Sequence, residues 1–131
     1  MKTTSAVICF AALVALASAQ QRASRHDEPA EMILAKVPVK ARSKCNPFAN
    51  DPEAPAAGGK LFEQHCAECH GQGADGAKRG PSLRANALQQ AKPGEIFWIV
   101  TNGVVRRGMP AWSKLPEPQR WQIISWLKSL P

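Results

Sequence analysis

Apolar and polar positions along this chain fall into blocks of different character. Residues 6–17 form an unbroken apolar run behind a single positive residue, Lys2, and the run closes on Ala17-Ser18-Ala19 before Gln20. A short positive start, a short apolar centre and a small-residue end make the pattern of a secretory signal peptide. The run is too short to span a bilayer comfortably, so residues 1–19 are expected to be cleaved rather than kept as an anchor. Residues 20–50 are polar, carry Pro29, Pro38 and Pro47, include the basic Lys36, Lys40, Arg42 and Lys44, and show no clear period. That composition reads as a flexible or draped leader. Met32-Ile33-Leu34 is its one apolar patch, suited to docking on whatever follows.

Helical periodicity begins near residue 51. Asp51-Pro52-Glu53 is a helix start: a capping side chain, a proline for the first turn and an acid at the positive end of the helix. The helix is expected to run through Gly58, Leu61, Phe62 and His65 to about Cys66. Residues 71–86 are rich in Gly and Pro and read as loop. Residues 93–101 give a second helix, with Ile96, Ile99 and Val100 on one face and Asn102-Gly103 as its stop. Residues 103–115 read as loop again. A last helix runs from about Pro116 to Leu130, where Ile123, Trp126, Leu127 and Leu130 follow the i, i+3, i+4, i+7 pattern. No period-2 strand is evident and no internal repeat is visible, so the expected fold is all-α, with residues 51–131 as the domain.

Composition narrows this further. The chain has 131 residues, enough for one domain. Its hydrophobic content of 44% allows a packed core, but a small one of the kind often stabilised by a covalent or metal staple. The net charge of +7 invites nucleic acid, an anionic membrane or an acidic protein as partner. The basic residues are scattered, with Lys78-Arg79 and Arg106-Arg107 the adjacent pairs outside any aromatic-interleaved run, so nucleic acid is not expected. No later segment is apolar enough to span, so no stable membrane insertion is expected once the signal is removed. Of the four cysteines, Cys9 falls in the signal run, which leaves Cys45, Cys66 and Cys69 to the mature chain.

The chemistry concentrates in Cys66-Ala67-Glu68-Cys69-His70. Cys-x-x-Cys-His is the spacing of a c-type haem attachment site. Two thiols three residues apart on a helical turn can each add to one vinyl group of a porphyrin, and the next residue, His70, then supplies an axial imidazole. Three other readings compete at this point. One is a Cys66–Cys69 disulfide in an oxidising compartment. Another is a thioredoxin-like pair, which lacks its βαβ surroundings here. The third is a Cys₃His zinc site drawing in Cys45. A second axial ligand is expected for a haem iron, and methionine is one that raises the potential. Met109, in Gly108-Met109-Pro110, is the one methionine after the motif. His65 reads as an exposed helix residue turned away from where His70 enters. The tryptophans 98, 112, 121 and 126 read as aromatic packing, with Trp112 nearest the presumed ligand loop and so the one to line a haem pocket. Cys45 is left as an odd thiol, inert or engaged between molecules.

Taken together, these residues resemble the class I cytochrome c family of the bacterial single-domain, mono-haem kind, over about residues 54–130. Gly58 and Phe62 match the first-helix pattern ahead of Cys66, and Trp126 and Leu127 match the C-terminal helix that crosses it. Gly80-Pro81-Ser82-Leu83 is similar to the family's Gly-Pro-x-Leu loop. Asn102-Gly103 and Gly108-Met109-Pro110-Ala111-Trp112 are similar to its methionine-ligand stretch. The resemblance implies the cytochrome c fold, three to five helices wrapped around one covalently bound haem c. It implies Cys66 and Cys69 as attachment sites, His70 and Met109 as iron ligands, and the Pro81 carbonyl as partner to the other ring nitrogen of His70. The arginines of the Val104–Arg107 stretch, the leader and Cys45 depart from the minimal family pattern.

The function this implies is one-electron transfer by a secreted or periplasmic carrier. With both axial positions filled, no site is left for bond-making catalysis, so an enzyme is not expected. Lys78, Arg79, Arg106 and Arg107 near a haem edge would steer redox protein partners with acidic surfaces. Three alternatives stand beside it. The first is a haem sensor or peroxide- or gas-binding protein with an open distal site. The second is a dedicated electron-accepting partner of a periplasmic dehydrogenase or oxidase. The third is a non-haem structural domain.

Overall fold

A computed structural model describes residues 30–131; the expected signal peptide lies outside the described residues. The described chain is mostly helical and forms no strand, only the isolated bridges Ala77–Gly80 and Val104–Met109. Residues 30–35 are helical. They are followed by α1 (Val39–Arg42), α2 (Ala54–His65), α3 (Ala67–His70), α4 (Asn86–Gln90), α5 (Pro93–Asn102), a 3-10 turn at Val105–Arg107 and α6 (Glu117–Ser129).

Proline lies in the opening turn of each long helix, but α2 starts at Ala54, so that Pro55 and not the expected Pro52 fills that place and Asp51 stands ahead of the helix. Before α2, the carboxylate of Asp51 accepts the Glu53 backbone N–H at 2.9 Å, which fixes the turn from which the helix sets out; Pro55 sits in the first turn, where its missing N–H costs nothing. At α5, Pro93 opens the helix, and the Glu95 carboxylate reaches back to accept the Lys92 N–H at 2.8 Å. This satisfies one of the four donors a helix start leaves free. Pro118 plays the opening role in α6.

The core is built from the facing sides of these helices. Phe62 of α2, Ile96, Phe97 and Val100 of α5, and Trp121, Ile123, Ile124 and Leu127 of α6 are buried. Phe97 stacks on Trp121 at 4.0 Å between ring centroids, and Phe62 meets Trp126 at 4.4 Å. The helices α2 and α6 cross at Gly58, where a methyl group would stand 1.9 Å from the Gln122 carbonyl oxygen. Only a glycine permits backbones to meet this closely.

Of the expected 20–50 leader, residues 30–50 are described and lie draped on the domain, while residues 20–29 lie outside the described residues. Val37 is buried, and Leu34 and Phe48 pack against the core. Asn46 Nδ2 donates to Ser125 Oγ at 2.8 Å and to the Trp121 carbonyl at 3.3 Å. The reason is that Arg42 and Asn46 bind groups far along the chain, which periodicity does not register. Past the expected loop of residues 71–86, α4 fills a stretch for which the sequence pattern predicts no element, a helix of five residues too short to show a period.

Candidate functional site

Three chain segments surround one cavity of about 850 Å³, at the upper end of the range for ligand pockets. The first is the turn from α2 into α3, which brings His65, Cys66, Cys69 and His70. The second is the loop of residues 77–83, and the third is the loop carrying Met109, Pro110 and Trp112. Ile99 of α5 and Leu88 of α4 add apolar wall.

The attachment motif straddles a break between helices. Cys66 ends α2, its N–H bonded to the Phe62 carbonyl at 2.8 Å, and its φ of −121° departs from helical values before α3 begins at Ala67. The break gives the motif its own helical turn, with His70 at its end. Both thiols are free and half-buried. Burial, with the neighbouring Cys69, pushes the Cys66 thiol up to about 11. Among the described residues no three His, Cys, Asp or Glu side chains converge as a metal cage, so the geometry gives the zinc reading no support.

His70 is held through its other nitrogen. Its Nδ1–H donates to the Pro81 carbonyl at 2.9 Å. That bond fixes the tautomer and leaves the Nε2 lone pair as the free base. Gly80 makes the approach possible, because a methyl group there would lie 2.7 Å from the Cys69 carbonyl and 3.0 Å from His70 Nδ1. Behind this loop, Ser82 Oγ donates to the Ala74 carbonyl and Arg84 to the Gly73 carbonyl, tying 71–76 to 82–84.

The Met109 loop is a tight closure. Val104 N–H donates to the Met109 carbonyl at 3.0 Å and Met109 N–H returns to the Val104 carbonyl at 3.3 Å, around the Val105–Arg107 turn. Gly103, with φ at +70°, lies against Met109 and Pro110 so closely that a methyl group would meet the Met109 carbonyl at 2.7 Å. Trp112 N–H then bonds the Val100 carbonyl at 3.0 Å, returning the loop to α5.

The structure thus brings Cys66, Cys69, His70, Pro81, Met109 and Trp112 to one cavity. It also corrects His65, which is half-buried rather than turned outward. Its ring lies 5.3 Å from that of Trp112 and lines the same cavity, because the helix breaks immediately after it. Of the expected cations, Lys78, Arg79 and Arg107 line the cavity and Arg106 does not. Arg79 is paired with Glu68 at 2.7 Å on the surface. Sequence reasoning missed Ile33, Leu34, Leu88 and Ile99 as cavity wall. The one usable signal was the apolar patch at residues 32–34.

A cavity with two free thiols, an imidazole of fixed tautomer and a thioether on its walls fits a covalently attached haem. The fold and this donor set define a class I c-type cytochrome, an electron-transfer haem protein that binds haem c. More particularly, residues 53–127 match the family described as cytochrome c oxidase, cbb3-type, subunit III, and the chain belongs to it. Similar curated proteins include the cbb3-type oxidase subunit CcoP of Rubrivivax gelatinosus, 38% identical over 73 residues, or 55% of this chain. The subunit FixP of Sinorhizobium medicae is 40% identical over 52 residues, or 39% of this chain. The chain covers 24% and 18% of those proteins respectively. Among solved structures, cytochrome cL from Methylophaga aminisulfidivorans aligns with a TM-score of 0.56 at 29% identity, covering 63% of this chain and 57% of that one.

Proposed function

We propose that the chain carries one haem c, bound through Cys66 and Cys69 with His70 and Met109 as axial ligands, and acts as a secreted or periplasmic carrier of single electrons. The observation that supports this most is the pairing of His70, its tautomer set by Pro81, with Met109 on a closed loop of the same cavity. When bound, the haem supplies a one-electron couple. The protein's part is to hold two ligands, keep water from the ring and present one edge to partners. His70 through its imidazole Nε2 and Met109 through its thioether sulfur would hold the iron, which would leave no open position for bond-making catalysis. A soft sulfur ligand and apolar walls from Ile99, Leu83 and Leu88 favour the reduced state and raise the potential. Lys78 and Arg107 give the cavity rim positive charge suited to an acidic partner.

The test is to produce the chain in a host able to attach haem c and to record oxidised and reduced absorption spectra. A sharp ferrous α band with the weak far-red ferric band of methionine–iron coordination is expected. High-spin character or carbon monoxide binding in the wild type would overturn the His/Met assignment and favour a gas-binding or sensor protein. The rate of exchange with an acidic partner is expected to fall with salt, and a salt-independent rate would remove the steering role.

A second reading draws on the relatives, which are oxidase subunits over the matched residues: the domain would serve one oxidase or dehydrogenase as a dedicated partner. Co-migration of the haem protein with such an enzyme in native electrophoresis would establish it.

A further inference from the structure

The family match begins at residue 53, yet the cavity wall does not. Ala30, Ile33 and Leu34, on the helical stretch 30–35, line the same cavity as Cys69, His70 and Met109. We infer that this stretch is a strap forming part of the haem pocket, and that Ile33 and Leu34 are haem-contacting residues supplied from outside the cytochrome domain proper. The inference rests on the reading of the cavity as a haem site.

The strap is latched in place, not laid loosely. Arg42 Nε donates to the Val37 carbonyl at 3.1 Å, and its Nη2 reaches the carbonyls of Leu34 and Ala35 at 3.5 and 3.4 Å, where the 30–35 helix runs out. A cation at that end adds to the Val37 N–H that the Leu34 carbonyl already accepts, reaches the Ala35 carbonyl, and complements the helix dipole. The same guanidinium lies 3.5 Å from the Glu95 carboxylate. Glu95 in turn caps the start of α5, so the end of the strap and the start of a core helix share one ion pair. Val37, buried at 2% exposure, is the apolar anchor between strap and latch.

Chemistry distinguishes the strap's faces. Ile33 and Leu34 turn to the cavity, whereas Met32, at 48% exposure, is not among its walls. A branched aliphatic side chain over a porphyrin excludes water from the ring and lowers the local dielectric, which favours the less charged reduced centre. The residue type fits that role, and Leu34 also packs against the core.

Methyl NMR of the ferrous holoprotein, with isoleucine methyls isotopically labelled, tests this directly. A methyl held over a porphyrin face is displaced upfield by the ring current. The Ile33 methyls are expected to be so displaced and to be assigned by their loss in Ile33→Val. Ile99, on the cavity wall, is the positive reference, and Ile123, buried in the core away from it, the negative one. As a second arm, Ile33→Ser is expected to lower the reduction potential of the holoprotein relative to the wild type, and Met32→Ser to leave it unchanged. Ile33 methyls at ordinary positions, with a normal wild-type spectrum, would overturn the strap alone. A wild-type chain with no haem c spectrum would overturn it together with the function on which it rests.

Discussion

Single atoms decide the geometry at several positions. At Gly58 the added methyl of Ala would press on the Gln122 backbone at 1.9 Å, and backbone cannot rotate out of the way as a flexible side chain does. Gly58→Ala is therefore expected to cost about 3 kcal/mol or more, read as a lowered denaturant midpoint of the holoprotein. A midpoint within experimental error of the wild type would mean that the two helices do not cross this closely. Met109→Leu keeps the loop's volume and removes its sulfur. The expected result is loss of the far-red band, carbon monoxide binding and a lower potential, with the α2–α6 core intact by circular dichroism. The thiols give a third expectation. Because Cys66 is pushed up to about 11 by its burial, it keeps its proton through neutral and mildly alkaline pH, and the thiolate is the reactive form. In the haem-free reduced chain at pH 8, iodoacetamide should label the exposed Cys45 well before Cys66. Equal labelling, read by peptide mass, would show that the haem-free chain lacks the buried turn.

Between elements, the bonds that matter join residues distant in sequence, and this marks where sequence reading reached its limit. The long helices α2, α5 and α6 were legible because each has proline in its opening turn, α2 and α5 an acid helping its start, and α5 a stop at Gly103. The short helix α4 was not. No side chain caps its start, and at its end Lys128, from α6, donates to the carbonyls of Gln89 and Ala91, the latter at 2.9 Å. Nothing near residues 86–90 announces a lysine placed nearly forty residues on. Arg120 is similar: it is buried, bonded to the Leu115 carbonyl at 3.0 Å and to the Thr101 hydroxyl, and seated over the Phe97 ring at 4.8 Å. Its periodicity alone would have placed it among solvated charges. Since a hydrogen bond from a charged group contributes about 1.5–3 kcal/mol, Lys128→Met is expected to destabilise the holoprotein by roughly 2 kcal/mol. Faster amide exchange should be confined to α4 and its flanks. Unchanged exchange there would mean that the two carbonyls find other donors at no cost.

At the scale of the whole molecule, the site was more legible than its surroundings. Cys66, Cys69 and His70 share one local motif, whereas Pro81, Met109 and Trp112 lie in loops further along the chain that the family resemblance ties to it, and all six line one cavity. The enclosure around them depends on residues 30–50, whose attachment runs through Arg42 to Glu95, Asn46 to Ser125 and Phe48 to the core. These are one-sided tertiary contacts without period, so they leave a polar, proline-containing stretch looking like linker. If they carry the weight the structure assigns, a holoprotein beginning at residue 51 should differ from the full chain in stability. Burying an aliphatic or aromatic side chain contributes about 1.5–3 kcal/mol. Val37 is fully buried and Leu34 and Phe48 partly so, which sums to about 3–5 kcal/mol after discounting for their residual exposure. For a domain of this size that corresponds to a fall in Tm of more than about 10 °C. Calorimetry of the two holoproteins measures the difference. Coincident melting curves would show that residues 30–50 ride on the domain without supporting it. A large fall would place the functional boundary of this cytochrome before residue 51.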